Sequence, residues 1–495
     1  MTELLAGAGV LLAAGAAAGA ILLPPGRPRA VAMLLALALF PILILGDQWH
    51  SRAIVDLRDS TGRMVALGVI AVGASAALAF VFRRWQILLP LAIVAALPFR
   101  VPLHAGGDTA NLLIPLYLVI AAGVLATAAR NWRATPAATG PAGPTAWLPR
   151  ILAAVVALYA VQVLYSEDFS KGLQDVCFFF VPFSLVYGLL RDVSWDRKLL
   201  TLVLWVVAIE AVAFVVVGSV EYLSRSLFWN DQVIRSNEFH TYFRVNSVFW
   251  DPNIYGRYLA LVAVLAMSAL MWARERRDLA LLTFLVTVLW IGLFPTFSQS
   301  SFVALLAGLA VLAALKWSLR WTLAAVAGLA VLAVLVVLLA GGSSKLSPDR
   351  INVDLSGRGN LISGGAHLFA QRPVYGYGSG SFPKAYRQHV KTREIPVSVS
   401  HTEPITIAAE QGLAGLLLYA ALVVTALWTM AGGLVRHLSV ARAAVLATFV
   451  ALLVHTMAYA GFFEDPITWV LLAVGASLAA AEQRRLAACP DTSAA

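Results

Sequence analysis

Charge is scarce in this chain and cysteine is nearly absent. Only 13% of the 495 residues are Asp, Glu, Lys or Arg, about half the share found in ordinary soluble domains. A water-soluble enzyme is thereby excluded, and so is a single-pass receptor with a folded ectodomain. The two cysteines, Cys177 in an apolar run and Cys489 in a polar tail, are too few for a disulfide framework or a thiolate metal site. The alternating ten-residue segments that build an outer-membrane barrel are missing as well. What the sequence has instead is apolar length: 60% hydrophobic residues, a mean hydropathy of +0.81 and unbroken runs such as Leu279–Phe294. Such content excludes disorder, and about 300 apolar residues suffice for roughly 15 spans of about 20 residues each. The expected fold is all-α, a polytopic transmembrane helix bundle of about 15 spans.

The net charge of +10 reports topology before it reports ligands, and no nucleic-acid partner is expected. Candidate spans run from 4–23 to 467–482, with 86–104 the fourth of them. Basic clusters, among them Arg83/Arg84, Arg130/Arg133, Arg274/Arg276/Arg277 and Arg484/Arg485, fall in every second connection, and short basic loops stay cytoplasmic. That register puts the C-terminus inside and the first residues outside. It divides the chain into N-terminal transmembrane helices 1–133, a cytoplasmic Pro/Gly/Ala linker 134–147, a main transmembrane part 148–485 and a polar cytoplasmic tail 486–495. Two outer loops, 220–252 and the partly helical 342–401, carry basic residues where few are expected, including Arg235, Arg244, Arg358 and Arg372. An anionic ligand at the outer face would account for them; the plainer reading is that long loops escape the positive-inside bias.

Four segments carry chemical signals. In "FRVNSVFWDPNIYGRYL", Arg244 precedes Asp251-Pro252-Asn253, a turn and helix-start signal. A helix N-terminus beside an arginine makes a phosphate cradle, or the segment is a plain loop cap in an aromatic belt. "FSQSS", Phe297–Ser301, is a compact polar turn that alone says little. "SGRGNLISGGAHLFAQRPVYGYGSGSF" joins a helically spaced stretch to a glycine-rich turn in which the chain can approach a ligand closely. "SHTEPITIAAEQGLAGLLLY" sets His401 and Glu403 at the start of a long apolar helix that Gly412 and Gly415 allow to pack tightly. His401 is either an interfacial anchor or, beside arginines, a general base on a hydroxyl. One His and one Glu fall short of a metal site.

In this order and spacing, these four segments resemble the O-antigen ligase and polymerase superfamily of bacterial envelope glycosyltransferases, over about residues 240–425. The resemblance implies a GT-C-like membrane enzyme, without cofactor or metal, at the outer face of the cytoplasmic (inner) membrane. Its donor is an undecaprenyl-pyrophosphate-linked glycan, and its acceptor a hydroxyl on a glycan, lipid or wall polymer. Arg244 matches the arginine expected to hold pyrophosphate, with Asn253 beside it, and His401 the presumed base or acceptor-positioning residue. Arg358 matches the arginine opening the loop helix; Arg235 and Arg372 are further donor-binding candidates. Glu410 falls in the family's "E-x-G-x-x-G" stretch with a packing role, and Glu403 is a secondary candidate. The sequence departs from the family at Gln299, where an arginine is common, so that Arg235, Arg257 or Arg372 must compensate or the donor binds differently. Arg235, Arg244, Arg358, Arg372 and His401 are expected to converge within roughly 15 Å, with single displacement inverting C1 and the polyprenyl tail lying between helices.

Ligase and polymerase share a donor and differ only in acceptor, and the resemblance leans towards the ligase. A transporter or flippase of lipid-linked oligosaccharide is the rival, with Glu210 as its clearest intramembrane charge, although relays usually use more than one. A structural subunit, catalytically dead through Gln299, is a third reading.

Overall fold

The structure, a computed structural model, describes residues 3–49, 51, 55, 61–105, 108–133, 144–228, 230–239, 242–341, 358–390, 399–434 and 438–488. Most of the linker 134–147, residues 342–357 and 391–398 of the long loop, and the tail beyond 488 with Cys489 lie outside the described residues. Among those described, eleven helices are long and apolar enough to cross a membrane, and three shorter apolar helices accompany them, Trp147–Val163, Leu319–Leu329 and Val440–Thr456. The chain is a polytopic helical bundle, multi-pass in any bilayer that holds it.

The apolar runs and the helices coincide along most of the chain; the run 86–104 is the exception. Its helix, Leu88–Ala96, has nine residues, and the chain then enters an antiparallel hairpin of Val101–Ala105 against Asp108–Leu112. Pro98 and Pro102 explain the break: each removes a backbone donor and turns the residue before it towards extended conformations.

Helix starts follow their caps. Asp196 accepts from the Leu199 N–H at 2.8 Å, and Asp251 from the Asn253 N–H at 2.6 Å with Pro252 in the first turn. One span, Phe169–Leu190, contains a π-helical turn over Val176–Phe180, a wide turn that recurs near functional sites. A single apolar core runs from Ala6 to Val474, N-terminal helices included. The buried Arg29 fastens those helices to the rest through Asp192 and the Gly188 carbonyl. Two loop helices, Arg358–Gln371 and Phe382–His389, pack with Tyr377 over Ala409 in a small separate core.

Candidate functional site

A cavity of about 380 Å³ opens where these elements meet. His401 lines it, just ahead of the helix Glu403–Ala431. Its backbone has φ 62°, a left-handed conformation that costs an L-residue about 1 kcal/mol. Flanking hydroxyls hold it there: Ser400 Oγ donates to the Thr402 carbonyl at 2.8 Å and lies 2.8 Å from Thr406 Oγ1, and Thr402 Oγ1 donates to the Met457 carbonyl at 3.1 Å. The Tyr459 ring stands 6.2 Å from the imidazole.

The helix behind His401 is broken on purpose by its sequence. Gly412 adopts φ 64°, ψ −159° inside Glu403–Ala431, so the glycine serves a kink rather than close helix packing. The carbonyls freed by the kink find other donors. Tyr377 N–H reaches the Ala409 carbonyl at 3.1 Å and Gly378 N–H that of Glu410 at 2.8 Å, while Gln162 Nε2 donates to Gln411 at 3.1 Å. The glycine-rich turn therefore docks on protein backbone: a Cβ on Gly376 would sit 2.3 Å from the Glu410 carbonyl oxygen. Glu410 completes the joint by accepting from Gly380 N–H at 3.0 Å and Phe382 N–H at 2.9 Å. Glu403 does the same for the neighbouring loop, accepting from Gly461 at 2.7 Å and Phe462 at 3.0 Å.

Charges converge on this cavity from elements far apart in sequence. Lys171 pairs with Asp175 at 2.5 Å, which also accepts from Tyr159 at 3.0 Å. Arg257 pairs with Asp465 at 2.8 Å, both nearly buried. Arg100, from the end of the short helix and its hairpin, and Glu464 also line the cavity. Sequence reasoning did not place Lys171, Asp175, Arg100 or Glu464 in the site; only the i,i+4 spacing of Lys171 and Asp175 was a readable signal.

Burial, reinforced by the negative charge of Asp175, pushes the Glu464 carboxyl up from 4.5 to about 7, against the pull of Lys171 and Arg100. Between those values the folded chain keeps a proton that the unfolded chain has released, so stability falls as pH rises through that window. Glu464→Gln removes this titration. Thermal unfolding of both proteins between about pH 5 and about pH 8 is expected to show the wild type losing stability relative to the variant; parallel profiles would refute the assignment.

Arg244 does not line the cavity but stands at its edge. Its Nε donates to the Thr296 carbonyl at 2.9 Å and its Nη2 to Asn253 Oδ1 at 3.2 Å, on the helix turn whose next residues, Ile254 and Arg257, do line it. The buried Glu221, which sequence reasoning did not single out, orients this segment by accepting from Ser247 N–H at 2.7 Å and Asn246 N–H at 3.2 Å. The other sequence candidates are dispersed. Arg235 is exposed on the helix Asp231–Phe239. Arg372 pairs with Glu167 at 3.1 Å and lies over the Tyr377 ring. Arg358 opens the helix Arg358–Gln371. Gln299 is exposed at the start of Gln299–Lys316, whereas its neighbours Ser298, Ser300 and Ser301 turn inward towards His455. Among the described residues, no group of three or more His, Cys, Asp or Glu is placed to hold a metal ion.

In comparison with known proteins, residues 284–420 match the O-Antigen ligase family. The matched stretch contains His401, Glu403, Glu410 and Gln299 and leaves out Arg100, Lys171, Arg244, Arg257 and Glu464. No curated protein matches the chain.

Proposed function

We propose that this chain, whose residues 284–420 match the O-Antigen ligase family, is a ligase that moves a glycan from undecaprenyl pyrophosphate to an acceptor hydroxyl. The reaction takes place at the extracytoplasmic face of the inner membrane, in the cavity that His401 lines. The observation that carries this reading is the composition of that cavity, where a histidine held in a constrained conformation faces cationic side chains inside an apolar bundle. His401 takes the acceptor O–H proton. The acceptor oxygen forms its bond to C1 as the C1–O bond to the diphosphate breaks, and the diphosphate leaves with the electron pair. That leaving group remains anionic throughout, so guanidinium groups fixed beforehand stabilise the transition state without reorganising. Arg244, beside Asn253 at a helix N-terminus, supplies such a group at the cavity edge, and in this reading Arg235, Arg358 and Arg372 guide the donor towards it.

The test is the lipid-linked glycan that accumulates when the protein is removed from its cell. Full-length chains stranded on the lipid are the expected outcome. Single repeat units on the lipid would replace the ligase with a polymerase, and unchanged pools would sink glycosyl transfer altogether.

A further inference from the structure

The helix that starts beside His401 runs to Ala431, where its far end borders another cavity, of about 110 Å³. That volume is well above the roughly 10–15 Å³ that one water needs. Three helix ends build its walls: Trp428 and Thr429 from Glu403–Ala431, Arg442 from the first turn of Val440–Thr456, and Glu482 and Leu486 from the last turns of Pro466–Ala488. The sequence at these ends holds Arg436, Arg442, Arg484 and Arg485, the bias of a cytoplasmic face.

Arg442 is 6% exposed and Thr429 4%. Nη2 of Arg442 donates to the carbonyls of Thr429, Met430 and Gly432 at 3.4, 3.1 and 2.6 Å, which caps the C-terminal end of Glu403–Ala431. Capping leaves donors over. Arg442 Nε is buried with no hydrogen-bond partner, and so is Thr429 Oγ1, a costly state for polar atoms. Glu482 is near enough for its charge to act on Arg442, yet it makes no ion pair or hydrogen bond among the described residues. A plain anion would satisfy the arginine and meet the carboxylate as a like charge. A zwitterion satisfies both walls. Trp428 and Leu486 line the same cavity and are exposed, so it borders the bilayer beside an indole, a side chain that favours headgroup depth.

We propose that this cavity binds the phosphoethanolamine headgroup of a phospholipid from the cytoplasmic leaflet, with its phosphate against Arg442 and Thr429 and its ammonium against Glu482. The acyl chains then lie along Trp428 and Leu486. Such a lipid ties together the ends of three helices, one of which carries His401 at its other end. The site is independent of the glycosyl-transfer reading.

Full-length protein in detergent micelles is titrated with phosphatidylethanolamine, with phosphatidylcholine, whose methylated ammonium has no N–H to donate, with phosphatidylglycerol, which has no cation, and with soluble phosphoethanolamine. Each is read as a shift in thermal unfolding. The wild type is expected to bind phosphatidylethanolamine about 10-fold more tightly than either other lipid. Glu482→Gln is expected to abolish that preference without weakening phosphatidylglycerol, and Arg442→Lys to weaken all three lipids by about 10-fold. Glu482 holds no partner in the protein, so its variant carries the test if Arg442→Lys fails to fold. Equal affinities for phosphatidylethanolamine and phosphatidylcholine, or a preference retained in Glu482→Gln, overturn the ammonium contact and with it the proposal. Undiminished lipid binding by folded Arg442→Lys overturns the phosphate contact. Soluble phosphoethanolamine binding as tightly as the lipid overturns the membrane occupant.

Discussion

Replacing His401 by Asn is expected to lower glycan transfer by about 10²- to 10³-fold while the protein still folds. Asn is the informative choice because the position has φ 62°, a conformation that Asn tolerates better than Ala does. The backbone geometry before Glu403–Ala431 is kept and only the proton acceptor is lost. The remaining rate comes from diphosphate stabilisation and from holding the two substrates together. The measurement is single-turnover transfer from a lipid-linked glycan in nanodiscs, with thermal unfolding as the control on folding. Transfer at the wild-type rate would remove His401 from the chemistry.

The second large effect is structural. Gly412→Ala is expected to destabilise the protein by about 3–5 kcal/mol, enough to abolish accumulation in the membrane of a marginally stable chain. A Cβ at Gly412 would lie 2.5 Å from the carbonyl carbon and oxygen of Val374, both of them backbone atoms that cannot swing aside. It would also have to adopt φ 64°. Leu413 N–H, which donates to the Pro373 carbonyl at 2.7 Å, would be pushed from its partner. Gly73→Ala is the matched control. No atom lies within 4 Å of a Cβ there, and alanine in a helix interior is favoured over glycine by about 0.5–1 kcal/mol. Equal unfolding temperatures for Gly412→Ala and the wild type would show that the kink is not fixed by this joint.

Hydropathy made the bundle legible because a bilayer demands the same length of apolar chain from every span. The run 199–219, for instance, emerges as Arg197–Ser224, extended by two residues at one end and five at the other. The run 86–104 misleads because apolar content is blind to backbone donors; Pro98 and Pro102 were the visible warning. His401 and Glu403 could be read because they stand together where the long loop gives way to the helix Glu403–Ala431. Arg257 was legible only as one of three charges to compensate for Gln299, while Arg100 and Glu464 stand between apolar runs and acquire meaning only when the bundle closes. Glycines were legible as special and opaque in purpose: Gly376 and Gly412 meet each other's segments across the fold, which no local pattern encodes.

The brevity of Leu88–Ala96 has a consequence for what fills the bilayer depth beside it. Nine helical residues rise about 14 Å, whereas the hydrocarbon slab is about 30 Å thick. Full-length neighbours such as Arg197–Ser224 meet the bilayer at its natural height; this element does not. A membrane answers hydrophobic mismatch by thinning only where the short element faces lipid. Five of its nine residues are buried against neighbouring helices, so the depth that the short helix leaves open is bordered by protein rather than by lipid.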